Sequence, residues 1–368
     1  MKTETIYFPG LNGLRAISAI AVVIFHVSLN AKAFNLNSSY LVKLENGYPL
    51  GAFLGSYGVS IFFALSGFLI TYLLQAEKQK QEIDIKKFYL RRILRIWPLY
   101  YLYLFISILV INYWGLGINF TALLLYIFYA ANLPFALGLS LPLLYHYWSL
   151  GIEEQFYIFW PWLNKKINSL IKICIALIIV LLVVKLLVHF AYQNSLADRI
   201  LHYARFQCLI IGALGSLLYK QDNLLLLRIM DNKVSQLICW GIMFLAAVNR
   251  FHIATVIDDE IISVVALCLI IGQINVKNRI INLDTPIFNF LGQISYGIYV
   301  IHPVLIFLLA KCLSDLPISQ PYKYCQAYLG VLVGTIGISY LSFTYFEKYF
   351  LKLKEKFAVV RSSAQSPI

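Results

Sequence analysis

Arg15 and His26 share the first long apolar run of the chain, and Arg205 lies in a later one. A cation at mid-membrane depth costs about 2.5 to 3.5 kcal/mol on insertion scales, so a helix that keeps one generally uses it. Arg15 and His26 are eleven positions apart, which on a helix is three turns plus about 20° and about 16 Å of rise. Both side chains therefore leave one stripe, Arg15 near the first end and His26 in the far half. Histidine is the side chain best matched to general-base work near neutral pH. The plainer alternatives are a hydrogen-bonded packing role for His26 and an Arg15 that snorkels to the boundary.

Four further segments carry candidate chemistry. In YHYWSLGIEEQFYIFWP, residues 145–161, Glu153 and Glu154 are neighbours, and adjacent helical side chains diverge by about 100°. At least one must point inward to a partner. At the depth of His26, where we expect them, a carboxylate would orient and charge-stabilise a histidine base; the competing role is an ion pair with Arg205 or Lys185. RRILRIWPLYY, residues 91–101, opens with Arg91 and Arg95 one turn apart and Arg92 three positions before Arg95. Such a cluster grips phosphates bidentately, or else anchors the chain on anionic lipid. Pro98 adds a kink and frees a carbonyl, which suits a nearby cavity.

GVSIFFALSGFLIT, residues 58–71, places the small residues Gly58, Ser60, Ser66 and Gly67 in a bulky run, where glycines allow close helix packing and Ser66 offers a hydrogen bond. SYGIYVIHP, residues 295–303, sets Tyr296, Tyr299 and His302 in the outer half of another run. The tyrosines could be interfacial belt residues, and His302 is expected to bind or support rather than react. His146 is expected at the extracytoplasmic mouth; His189, His202 and His252 have no motif around them and are assigned structural roles.

The elements that must position these residues are membrane helices. The 368 residues are 60% hydrophobic and 13% charged, far from the soluble balance of about a quarter charged residues. The net charge of +13 is a matter of topology, because it sits in loops flanking the spans, and not a nucleic-acid footprint. The six cysteines have no metal spacing; Cys174, Cys208, Cys239 and Cys268 lie in apolar runs, while Cys312 and Cys325 flank one loop and could pair. Lys2 and Ala31-Lys32-Ala33 imitate a signal peptide. Arg15 and the length of the lead-in argue that the first helix is retained.

Nine runs are long enough to span, near residues 13–31, 52–75, 93–114, 173–191, 203–219, 234–250, 260–275, 288–310 and 326–346. Two are ambiguous, 119–139 and 148–163. If 119–139 is re-entrant or interfacial, the basic residues of the 78–95, 165–172, 220–233, 277–279 and 348–361 loops all fall inside, and Asp258, Asp259 and Glu260 fall outside. If it crosses, the bias inverts. The expectation is an all-α polytopic bundle of about ten transmembrane helices with both termini cytoplasmic. Residues 1–350 form one membrane domain and residues 351–368 a short basic cytoplasmic tail.

Taken in order, LRAISAIAVVIFH, GVSIFFALSGFLIT, RRILRIWPLYY, WSLGIEEQFY and SYGIYVIHP resemble the acyltransferase-3 family of integral-membrane acyltransferases, in its stand-alone form without a fused SGNH domain. The resemblance implies acyl-CoA, most commonly acetyl-CoA, as co-substrate, with no bound cofactor or metal. It implies a carbohydrate or glycolipid acceptor outside the bacterial inner membrane. On it, His26, with Arg15 and a glutamate of the Glu153/Glu154 pair, would serve the transfer centre. Arg91, Arg92 and Arg95, with Ser66 and Tyr100, would serve acyl-CoA, and Trp148, Ser149, Tyr296, His302 and Arg205 the acceptor side. A transporter or flippase of a lipid-linked substrate is the competing class, because intramembrane charges also line transport paths.

Overall fold

In hydrocarbon a backbone amide finds partners only within its own helix or a closed barrel, and every expected spanning run is helical. The computed structural model describes residues 4–37, 51 and 53–363. In chain order the helices are α1 Leu11–Leu29, α2 Leu54–Lys78, α3 Ile85–Tyr113, α4 Phe120–Ile127, α5 Asn132–Leu137, α6 Tyr147–Lys166, α7 Leu170–Ala191 and α8 Leu196–Ala204. They continue as α9 Phe206–Lys220, α10 Leu224–Met230, α11 Lys233–Ala247, α12 Asp258–Asn275, α13 Pro286–Gln293, α14 Ser295–Leu313, α15 Gln320–Ser342 and α16 Lys348–Glu355. A single π-helical turn, Phe343–Glu347, joins α15 to α16. The protein is an all-α polytopic bundle.

Among the described residues seven helices are long and apolar enough to cross a membrane: α1, α2, α3, α7, the α8–α9 pair, α14 and α15 with its extension. The three other expected runs are helical as well. α6 carries Glu153 and Glu154, α11 has 15 residues, and α12 opens on three acidic residues. Residues 119–139 hold no membrane-length helix. α4 and α5 have 8 and 6 residues, about 12 and 9 Å of rise against a core of about 30 Å, and Tyr129 between them turns at φ 58°.

The helices divide into central and peripheral. The spans of α1 and α2 are each 72% buried inside the protein, whereas that of α7 is 11% buried and faces outward. The centre holds because small residues let backbones touch. A Cβ on Gly67 would lie 1.9 Å from the Leu209 carbonyl oxygen, and one on Gly212 would lie 2.0 Å from that of Ala64. α2 and α9 are thus locked face to face by two reciprocal glycines, the small-residue packing on which membrane helices depend.

Two features depart from the expected layout. Asp258, Asp259 and Glu260 are buried, not loop residues: they form the first turn of α12, where carboxylates meet the positive end of the helix dipole. The basic segment after residue 350 packs back onto the bundle. α16 lies against α3, and strand β2, Val360–Ser363, pairs in parallel with β1, Glu4–Tyr7, tying the two ends of the chain together. Residues 364–368 lie outside the described residues. Cys312 and Cys325 are free, exposed thiols, not a pair. On the connection between α2 and α3, Asp84 caps α3 by accepting from the Lys87 amide at 3.0 Å, and that bond holds its carboxyl below the ordinary range.

Gly67→Ala should destabilise the protein by about 1 to 3 kcal/mol through overpacking against backbone. Gly241→Ala, where an added Cβ meets nothing within 4 Å, should be neutral or slightly stabilising; thermal unfolding in detergent distinguishes the two. In a variant with Cys312 and Cys325 replaced by serine, a cysteine at Asp315 should react with an impermeant thiol reagent on intact cells. One at Glu82 should react only after permeabilisation.

Candidate functional site

A cavity of about 530 Å³ opens between α1, α2, α3, α6, α14 and the C-terminal segment, within the range typical of small-molecule sites. Successive turns of α6 set its axis: Ser149, Glu153 and Tyr157 all line it, about 12 Å of rise from first to last. Arg15 of α1, Arg92 and Arg95 of α3 and Lys354 of α16 line the Tyr157 end. Ser66 and Glu153 face each other midway, with Arg15 and Arg95 within electrostatic reach of Glu153. Phe62, Ser149 and Tyr299 line the other end.

Beyond that second end lies a cluster of three histidines. His26 Nδ1 is 2.9 Å from His302 Nε2, and the two rings stack with centroids 4.9 Å apart. The His146 ring is 5.2 Å from that of His302, and His146 Nε2 is 3.1 Å from the Val300 carbonyl. Tyr299 joins cluster and cavity: its hydroxyl lies 2.5 Å from Ser149 Oγ and 2.9 Å from the His146 carbonyl, and its ring is 6.1 Å from His302. The cavity thus runs from the cations to Ser149 and Tyr299, and Tyr299 stands between it and the imidazoles.

The cations at the first end are incompletely neutralised. Among the described residues, no ion pair joins Arg15, Arg92 or Arg95 to a carboxylate, and Arg92 Nε has no hydrogen-bond partner. Arg92 instead packs on the rings of Phe88 and Tyr157, 5.8 Å from each centroid. At the other end of the bundle the charges are joined in ion pairs, with Arg205 Nε and Glu260 Oε2 left unpartnered. Arg205 pairs with Asp259 at 3.0 Å and donates to Ser56 Oγ at 2.9 Å, while Lys185 and Gln207 both donate to Glu260 Oε1, at 2.7 and 2.6 Å.

Several expected placements are corrected. Glu153 and Glu154 are not at the depth of His26. α6 begins at Tyr147, after a connection that buries Leu141 and Leu144, so Glu153 falls more than a turn below the histidines and faces the arginine end. Glu154, on the diverging face, accepts from Trp97 Nε1 at 3.3 Å and lies outside the cavity. Neither glutamate pairs with Arg205 or Lys185, whose partners come from α12. Arg205 sits at the α8–α9 junction with φ 42° and lies over the Trp148 ring at 5.2 Å; neither residue lines the cavity.

Arg91 is turned away from Arg95: it pairs with Glu77 at 2.8 Å and donates to the Phe357 carbonyl at 2.9 Å. Tyr100 gives its hydroxyl to the Tyr126 carbonyl at 2.6 Å and is absent from the cavity wall. His146 is buried within the bundle rather than at a mouth, and Tyr296 lines the cavity while donating to the Ile96 carbonyl at 2.9 Å. His189 and His252 pair with Asp198 and Asp258 at helix ends. Lys354, Tyr157 and Glu347 also line the cavity and went unnoticed in the sequence. The cationic face of α16 was the one available sign of Lys354.

A model described as an acyltransferase domain, that of the acyltransferase-3 family, matches residues 8–344. Among curated proteins, the peptidoglycan O-acetyltransferase OatA of Listeria monocytogenes is 30% identical over 42% of this chain and 24% of its own length. A Staphylococcus aureus protein named "Putative O-acetyltransferase SACOL0978" is 28% identical over 80% of this chain and 50% of its own. A Bacillus subtilis protein named "Putative peptidoglycan O-acetyltransferase YrhL" is 34% identical over 42% of this chain and 23% of its own. The chain thus spans half or less of the length of these curated relatives. No solved structure matches it. A match running from just after β1 into the π turn, across the histidines and most of the cavity wall, means that the chain belongs to the acyltransferase-3 family.

Proposed function

We propose that the protein is a membrane O-acyltransferase that moves an acetyl group from acetyl-CoA, entering at the arginine end, to a carbohydrate hydroxyl that approaches the histidine end. The observation that carries this reading is a cavity with Arg15, Arg92 and Arg95 at one end, none of them in an ion pair among the described residues, and Ser149 and Tyr299 at the other, with the histidine cluster beyond. Three guanidinium groups gathered about one cavity, with Glu153 near but paired with none of them, favour an anion. The phosphates of coenzyme A are such anions, and Arg92, Arg95, Arg15 and Lys354 would receive them. The basic loops support a cytoplasmic side for this end under the positive-inside rule, where acyl-CoA is made. The bacterial relatives support the inner membrane as the location, and those named for peptidoglycan support a glycan acceptor.

In this reading His26 accepts the proton of the acceptor hydroxyl as its oxygen attacks the thioester carbonyl. The C–O bond forms, the C–S bond breaks, and the proton passes from His26 to the departing thiolate, so that ester and free coenzyme A leave. Ser66 and Glu153, midway along the cavity, would position the pantetheine arm between the two ends. Ser149 and Tyr299 would hold the reacting group beside the imidazole. A flippase reading gives the histidine cluster no chemical task.

Ester-linked acetate, released from surface glycans by mild base, should fall when the gene is removed and return with the wild-type copy. It should stay about 10²- to 10⁴-fold lower with His26→Ala; full recovery with a well-expressed His26→Ala protein would defeat the enzyme reading. Arg95→Ala should raise the acetyl-CoA concentration needed for half-maximal rate by about 10- to 100-fold, the worth of a charged hydrogen bond. Rapid quench with labelled acetyl-CoA and no acceptor should leave the protein unlabelled. Label held by the wild type and lost in His26→Ala would replace direct attack with an acyl-histidine.

A further inference from the structure

We infer that His302 is a positioning residue that fixes the tautomer of His26, so that Nε2 of His26 carries the lone pair that accepts the acceptor's proton. The inference rests on the acyl-transfer reading and assigns a role to one further residue of that site.

Two imidazole nitrogens 2.9 Å apart share one proton, and which of them owns it decides what His26 can do. The far nitrogen of His302 settles the matter. Nδ1 of His302 is 3.2 Å from the Ile298 carbonyl. A carbonyl only accepts, so Nδ1 must carry a hydrogen. In the neutral ring Nε2 is then bare and must accept from His26 Nδ1–H. With Nδ1 protonated, the lone pair of His26 is on Nε2, and among the described residues no hydrogen bond occupies that atom.

During transfer the proton from the hydroxyl arrives at His26 Nε2, and the imidazolium keeps its Nδ1–H on His302 Nε2. The proton then leaves from Nε2 to the thiolate. His302 neither gains nor loses a proton; it does for His26 what a carboxylate does in a Ser-His-Asp triad, without adding a buried charge.

The test compares three substitutions in the full-length protein. His302→Gln puts an amide oxygen where Nε2 lies and can still accept from His26 Nδ1–H. His302→Leu fills the space without accepting. His302→Asn mimics only the Nδ1 end and serves where the leucine variant fails to accumulate. Each is introduced into cells lacking the gene, ester-linked acetate is measured per amount of protein, and acetyl-CoA affinity is measured on the purified protein in detergent. The expected result is at least about a tenth of wild-type product with Gln and about 100-fold less with Leu or Asn, at acetyl-CoA Kd values within about twofold of wild type. Equal product from Gln, Leu and Asn, or a loss matched by weaker acetyl-CoA binding, would overturn the assignment and leave His302 a packing residue. If His26→Ala is inactive while His302→Leu is fully active, only this inference fails. If the wild-type gene itself restores no ester, the acyl-transfer reading fails with it.

Discussion

Low dielectric forces every charge in this bundle to be paired or put to use, and the protein answers that constraint differently at its two ends. On the α12 side, Arg205 with Asp259 and Lys185 with Glu260 form ion pairs, and serine and glutamine donors join the cluster, though Arg205 Nε and Glu260 Oε2 keep no hydrogen-bond partner. Removing one partner of such a pair is far more damaging than the pair is stabilising, because it strands the other charge. On the α3 side, Arg15, Arg92 and Arg95 line a cavity and, among the described residues, are in no ion pair, although Glu153 is within electrostatic reach. One set of charges holds helices together; the other is proposed to take the phosphates of coenzyme A.

The helix packing serves that second set. Reciprocal glycines clamp α2 to α9, which fixes the face of α2 carrying Phe62 and Ser66 along one wall of the cavity. The opposite wall comes from α6 and α14, and their contact through Ser149 and Tyr299 brings the cavity to within one side chain of the histidines. The N- and C-terminal segments flank the cavity: β1, paired with β2, leads into α1 and thus to Arg15, and Lys354 reaches the cavity from α16. A segment that composition marks as a basic tail is part of the wall.

What could be read from sequence was what helix geometry alone determines. Eleven positions at 1.5 Å each separate Arg15 from His26, and the structure sets Arg15 on the cavity wall and His26 in the histidine cluster beyond its other end. The all-α membrane class followed from composition, and the inability of residues 119–139 to span followed from loop charge. Tertiary partners were not legible. Nothing local says that Arg205 meets Asp259, 54 positions later, or that His302 reaches His26 across 276. The depth assigned to Glu153 erred because it depends on where α6 starts, and the buried connection before Tyr147 carries no periodic signal. Arg91, Arg92 and Arg95 read as one cluster, yet the 100° step between neighbours sends Arg91 to Glu77 and Arg92 to the cavity.

The central claim is that one cavity connects a phosphate-binding end to a histidine base. Its most direct test is a cryo-electron microscopy map of the protein with a non-hydrolysable thioether analogue of acetyl-CoA. The account predicts phosphate density against Arg92 and Arg95, a pantetheine arm passing Ser66 and Glu153, and the acyl carbon beside Nε2 of His26. Phosphates bound away from α3, or an acyl group ending far from His26, would contradict it.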